Sequence, residues 1–128
     1  MNDVGLLTNL LYKNNINAIL DDRTGVNLGA VYETVVAEEL KCHGKELYYF
    51  DSKKVGEVDY LIDNYDSLNV LPIEIKSGKD FKIFKALPKL LDNPNYKMTS
   101  GLVFSNNREI KTENKITYLP IYFIMFIN

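Results

Sequence analysis

Two short runs constrain this chain more than any other feature. Glu57–Asp63 (EVDYLID) and Val70–Lys76 (VLPIEIK) each alternate apolar with polar residues, and only the turn-rich stretch Asn64–Asn69 separates them. A period of two is that of a strand, and so short a connection makes consecutive strands antiparallel neighbours. An aromatic run, Glu46–Asp51 (ELYYFD), precedes them across a turn at Ser52–Gly56. Three strands in meander order are therefore expected, and the remaining elements must cover that sheet.

The helical signals lie on both sides of it. Val4, Leu6, Leu7, Leu10 and Leu11 recur at helical spacing behind Asp3 as a cap, which predicts a helix over residues 3–13. A second is predicted from Leu28 to His43, with Asn27 as N-cap, Gly44 as its stop and an apolar stripe of Leu28, Val31, Tyr32, Val35, Val36 and Leu40. A third follows the strands over Phe81–Leu91 behind Asp80, with Pro88 expected to kink or break it. Leu102–Phe104 forms a short buried strand, Asn106–Lys115 a polar hairpin or loop, and Ile116–Leu119 a last strand. A crossover helix makes the third and fourth strands parallel, so the fold class is α/β with one central mixed sheet.

Size and composition fit one domain. The chain has 128 residues, of which 46% are hydrophobic and 25% charged, enough for one core and too few for two. We expect a single domain over 1–128, with residues 1–24 as a helical lead-in and 116–128 as a closing element. The formal net charge of -2 excludes a polybasic nucleic-acid binder. One cysteine, Cys42, excludes an internal disulfide and any zinc site that needs two thiolates. The start lacks a signal-peptide pattern and no apolar run approaches a membrane span, so a reducing cytoplasm and no membrane partner are expected.

The chemistry concentrates on two strands and one helix. On a regular strand residues 57, 59, 61 and 63 share a face, and so do Glu74 and Lys76. Adjacent pairing places Asp59 beside Glu74. Two neighbouring carboxylates repel unless a cation such as Mg2+ or Mn2+ bridges them, and Lys76 then stands ready to stabilise a developing anion or position a water. Glu33 is the candidate helical carboxylate, at the edge of its apolar stripe with Gly29 and Ala37 one turn away. Glu57 is read as exposed. Lys79, Lys82, Lys85 and Lys89 form a basic stripe; from Lys76 to Lys97 six lysines face only Asp80 and Asp92. Taken alone such a stripe is a solvated helix face, but beside a phosphodiester site it suits a nucleic-acid backbone. His43 is read as a favourable charge at a helix C-terminus, and Tyr48, Tyr49 and Phe50 as packing residues.

Glu33, then Gly56-Glu57-Val58-Asp59, then Glu74-Ile75-Lys76 resembles the PD-(D/E)xK nuclease signature. Val58-Asp59 stands where that pattern has its proline and aspartate. The resemblance implies a restriction-endonuclease-like core, in the order helix, three-strand meander, crossover helix, fourth strand. It also implies a magnesium-dependent site of Glu33, Asp59, Glu74 and Lys76, with Asp59 and Glu74 on the metal and DNA as substrate.

A second resemblance spans nearly the whole chain. Asp3-Val4-Gly5-Leu6-Leu7, Gly29-Ala30-Val31-Tyr32-Glu33, Tyr48-Tyr49-Phe50, Gly56-Glu57-Val58-Asp59-Tyr60, Pro72-Ile73-Glu74-Ile75-Lys76-Ser77-Gly78 and Tyr118-Leu119-Pro120-Ile121-Tyr122 are similar to the C-terminal domain of unassigned function in predicted AAA-type ATPases of bacteria and archaea. That resemblance implies an ATPase region and a winged helix on the N-terminal side of a longer parent. This sequence contains no Gly-x-x-x-x-Gly-Lys-Ser/Thr phosphate loop. The alternative expectation is a catalytically inactive module that recognises nucleic acid or contacts subunits and thereby regulates the ATPase.

Overall fold

A computed structural model describes residues 3–13, 17, 28–78 and 85–127. The sheet has six strands: β1 (Tyr48–Ser52), β2 (Gly56–Asn64), β3 (Asn69–Lys76), β4 (Gly101–Ser105), β5 (Lys111–Glu113) and β6 (Ile116–Pro120). Their order across it is β1-β2-β3-β4-β6-β5. β1 to β3 form the antiparallel meander, β3–β4 and β4–β6 are parallel, and β5 returns antiparallel on β6. The sheet is mixed, as the alternation and the crossover require. The expected polar hairpin at Asn106–Lys115 contributes the edge strand β5.

Helix α1 (Val4–Tyr12) starts where Asp3 Oδ1 accepts the Leu6 N–H at 2.7 Å. Helix α2 (Gly29–Cys42) ends in a Schellman arrangement: Gly44 takes φ +74°, its N–H bonds Lys41 O, and the Lys45 N–H bonds Leu40 O. A left-handed residue is required there, which is why glycine stops the helix. The start of α2 has no side-chain cap, and the expected cap Asn27 lies outside the described residues.

The third helix differs from expectation. Described α3 spans Ala86–Leu91, so Pro88 stands inside its first turn, where a missing N–H leaves no hydrogen bond broken. Proline neither kinks nor ends it. Asp80, Phe81 and Phe84, expected in this helix, lie outside the described residues, as does Asp21–Gly25.

The helices occupy opposite faces of the sheet. On one face α3 buries Leu87, Leu90 and Leu91 against Val58, Val103, Ile116 and Tyr118. On the other, Val36 and Leu40 of α2 meet Ile62, Ile73, Ile75 and Phe104, joined by Ile124 of a 3-10 helix, Ile121–Phe126. That terminal helix covers part of the α2-side core. His43 fastens it to α2: its Nδ1 donates to Ile127 O at 2.6 Å, while Nε2 lies 3.4 Å from Glu39 Oε1. The second contact explains an acidic residue within the apolar stripe of α2.

β3 carries a proline in mid-sheet, normally excluded because it cannot donate to a ladder. The Ile75 N–H points toward β2, so alternation turns the Pro72 position toward β4, where registered pairing begins only at Ile73. The missing donor therefore leaves no ladder bond unmade.

Candidate active site

The carboxylates gather where the β1–β2 register slips. Tyr48 pairs with Leu61 and Phe50 with Val58, so Asp59 and Tyr60 together oppose Tyr49 alone. This β-bulge reverses the phase of β2. Val58 and Leu61 pack into the α3-side cluster, whereas Tyr60 and Ile62 pack into the α2-side cluster. Residues 57, 59, 61 and 63 therefore do not share one face, contrary to the expectation for a regular strand. The bulge gives β2 apolar residues for both cores and turns Asp59 toward the end of β3.

Registered β2–β3 pairing stops at Tyr60–Ile73, one position short of Asp59 and Glu74. Beyond it, Asp59 Oδ2 accepts the Ile75 N–H at 2.6 Å, a side chain continuing the ladder in place of a carbonyl. Asp59 thus lies beside Ile75 and close enough to Glu74 for their charges to interact, though the two are not a registered pair. Glu74 is only 5% exposed, on a central strand between β2 and β4. Its Oε1 receives Lys76 Nζ at 2.5 Å, and its Oε2 is buried without any hydrogen-bond partner. An ionised oxygen in that state is costly.

Electrostatics follow from this crowding. Burial raises the Glu74 carboxyl above its ordinary value; Lys76 and the Asp59 backbone amide oppose the rise and the Asp59 charge adds to it. Asp59 is raised by burial too, while the Ile75 amide and Lys76 pull it down. Glu33, on α2, is raised by burial and then by Asp59 and Glu57. It therefore stands within electrostatic reach of the strand carboxylates, although its side chain is exposed. The Tyr60 hydroxyl donates to Glu33 O at 3.3 Å and ties that turn of α2 to β2. Glu57 is exposed, as read from the sequence.

These donors suit one kind of ion. Asp59 and Glu74 offer hard oxygens, one buried and unpartnered, which fits a cation that keeps most of its waters. Among the described residues no group of three or more His, Cys, Asp or Glu converges on one point, so an all-protein cage is not built. Of the basic stripe, Lys85 and Lys89 are exposed at the start and in the last turn of α3; Lys79 and Lys82 lie outside the described residues.

Two features escaped the sequence reading. The bulge depends on pairing with β1, which no local pattern reports. Tyr48 and Tyr49, expected to pack, are 46% and 61% exposed, because β1 is the sheet's outer strand; only Phe50 packs on the α3-side core. Interaction with the Glu57 carboxylate pushes the Tyr49 hydroxyl pKa up to about 12.

Residues 28–124 match the family described as Domain of unknown function (DUF4143). The chain belongs to that family. The match takes in α2, the whole sheet and the first four residues of the terminal 3-10 helix, and so every candidate residue above lies inside the DUF4143 region. No curated protein matches the chain. Among the described residues, no helix is long and apolar enough to cross a membrane.

Proposed function

We propose that this DUF4143 domain is a metal-dependent nuclease module acting on nucleic acid, DNA foremost. The observation that carries the reading is Glu74 Oε2, buried and unpartnered beside Asp59 on the strand that also bears Lys76. In this reading Asp59 and Glu74 hold a magnesium or manganese ion. Such an ion supplies a water of lowered pKa and polarises the phosphate. Lys76, now paired to Glu74, offsets charge on the phosphoryl oxygens in the transition state. Glu33 approaches from α2 and orients water on the carboxylate side. The lysines at 79, 82, 85 and 89 hold the phosphate backbone. We assign the module to the cytoplasm and to the C-terminal side of an AAA-type ATPase with a winged helix, which would supply the nucleotide-driven step.

The test is cleavage of DNA in magnesium or manganese by the wild-type protein and by Asp59→Asn, Glu74→Gln and Lys76→Ala. Each variant is expected to lose at least about a hundredfold in rate, the scale set by removing one transition-state electrostatic partner. Equal cleavage by wild type and Glu74→Gln overturns the proposal.

Metal affinity supplies an independent check. Both carboxyls are raised, so they release their protons to a metal only at higher pH. The magnesium-induced rise in Tm should therefore grow between about pH 5 and about pH 8 and vanish in Glu74→Gln.

A second reading, an inactive module that contacts ATPase subunits, draws on one observation. Leu6, Leu10 and Leu11 of α1 and Tyr122, Met125 and Phe126 of the terminal helix are each more than half exposed. This reading gains ground if wild type shows neither cleavage nor a magnesium response.

A further inference from the structure

Among the described residues, and tyrosine aside, the fold buries two polar side chains, Glu74 and Ser105. They flank Lys76. In the parallel β3–β4 pair Glu74 is registered with Val103 and Lys76 with Ser105. Ile75 and Phe104 pack into the α2-side cluster and Val103 into the α3-side one, so Glu74, Lys76 and Ser105 all lie on the α3 side. Ser105 is the last residue of β4 and 1% exposed, and its Oγ accepts the Asn107 N–H at 3.2 Å.

That bond fixes the hydroxyl oxygen without exhausting it. A serine oxygen has two lone pairs, so one is left to accept. Neighbouring strands stand about 4.8 Å apart, a gap that the four-carbon stem of a lysine spans. In the structure Lys76 Nζ rests on Glu74 Oε1 at 2.5 Å, with its side chain 28% exposed. A divalent cation on Glu74 brings further positive charge to the same carboxylate and repels the ammonium. Lys76 then needs another acceptor, and its registered neighbour on the same face is Ser105.

We infer that Ser105 is a positioning residue for Lys76, the second station of a lysine that leaves Glu74 for the Ser105 oxygen when a divalent cation is bound. This rests on the nuclease reading and adds a residue to its site. Without the cation, Lys76 neutralises a buried carboxylate. With it, Lys76 is freed from that task and held, still charged, at the C-terminal ends of the parallel strands, where open sheets of this kind take their ligands. The burial of Ser105 matters here, because little water reaches its oxygen to compete with the ammonium.

The test needs no cleavage: it reads Mn2+ affinity, with the free ion counted by its electron paramagnetic resonance signal. Ser105→Ala should bind Mn2+ about tenfold more weakly than wild type, the scale of one hydrogen bond to a charged group. Ser105→Cys, close in volume but a weak acceptor, should lose as much. Lys76→Met should bind Mn2+ more tightly than wild type, because no ammonium competes for Glu74. Adding Ser105→Ala to Lys76→Met should then change nothing, the mark of two residues that act through each other. Lys76→Gln, which keeps a neutral hydrogen bond to Glu74, replaces Lys76→Met if that variant fails to fold. Equal affinity in wild type and Ser105→Ala overturns the role of Ser105 and leaves the nuclease reading standing. A loss of the same size with and without Lys76 also overturns it, since Ser105 then only holds the Asn107 turn. Wild type that binds no Mn2+ removes the metal site itself, and the second station with it.

Discussion

The sheet contains the same short motif twice, in two very different places. In β3, Glu74-Ile75-Lys76 pairs an acid with a base two residues on; in β5, Lys111-Thr112-Glu113 does the same in reverse. Both pairs lie along one strand face, as a period of two demands. Position in the sheet divides them. β3 is central, Glu74 is almost wholly buried, and one of its oxygens has no partner. β5 is the outer strand at the opposite edge from β1, and both Lys111 and Glu113 are nearly half exposed. Water solvates the β5 pair whether or not it forms, so its sheet position assigns it little beyond solubility. The β3 pair exists because the fold took a carboxylate out of water and answered it with only one cation.

Breaking the β3 pair is expected to have the largest effect. Lys76→Met leaves the Glu74 carboxylate buried with no counter-charge, and should cost about 3 kcal/mol near neutral pH. Urea unfolding reads this directly, and the loss should shrink at acid pH as Glu74 takes up a proton. An unchanged midpoint would show that Glu74 is solvated after all.

The next effect concerns pH. Burial raises the Glu74 carboxyl above its ordinary 4.5, so the folded chain keeps this proton to a higher pH than the unfolded chain does. Stability is thus fully favoured below the unfolded value and declines as pH rises through the folded one. Glu74→Gln removes the titration and should flatten that decline in Tm measured between about pH 4.5 and about pH 7.5. A slope equal to wild type would transfer the effect to Asp59, which is raised in the same direction.

The smallest effect belongs to β5. Lys111→Ala should leave Tm unchanged at low and high salt, since its partner is solvated on the outer strand. A clear fall would mean that the outer pair is coupled to the sheet, and the contrast between the strands would weaken.

Much of this was legible in advance, and the exceptions share a cause. Alternation in Val70–Lys76 located β3 and its polar pair, Gly44 located the end of α2, and Asp3 the start of α1. Each is a local signal, carried by residues a few positions apart. The failures involve partners distant in sequence. The phase of β2 depends on how Tyr49 meets Asp59 and Tyr60, and the exposure of Tyr48 and Tyr49 on β1 being outermost. For the candidate site, the nearness of Asp59 to the end of β3 followed from strand order. The burial of Glu74 did not, because alternation says which residues share a face and not how deeply that face is covered.

The bulge has one more consequence, for how the two halves of the molecule melt. Val58 and Ile62 stand four residues apart on one strand, a spacing that ordinarily commits both to the same layer. Here one belongs to the α3 side and the other to the α2 side, so β2 acts as a shared beam through both. Neither layer can come apart without pulling on it. Hydrogen exchange at the β2 amides should therefore report the global opening of the domain, and damage to either layer should be felt in the other.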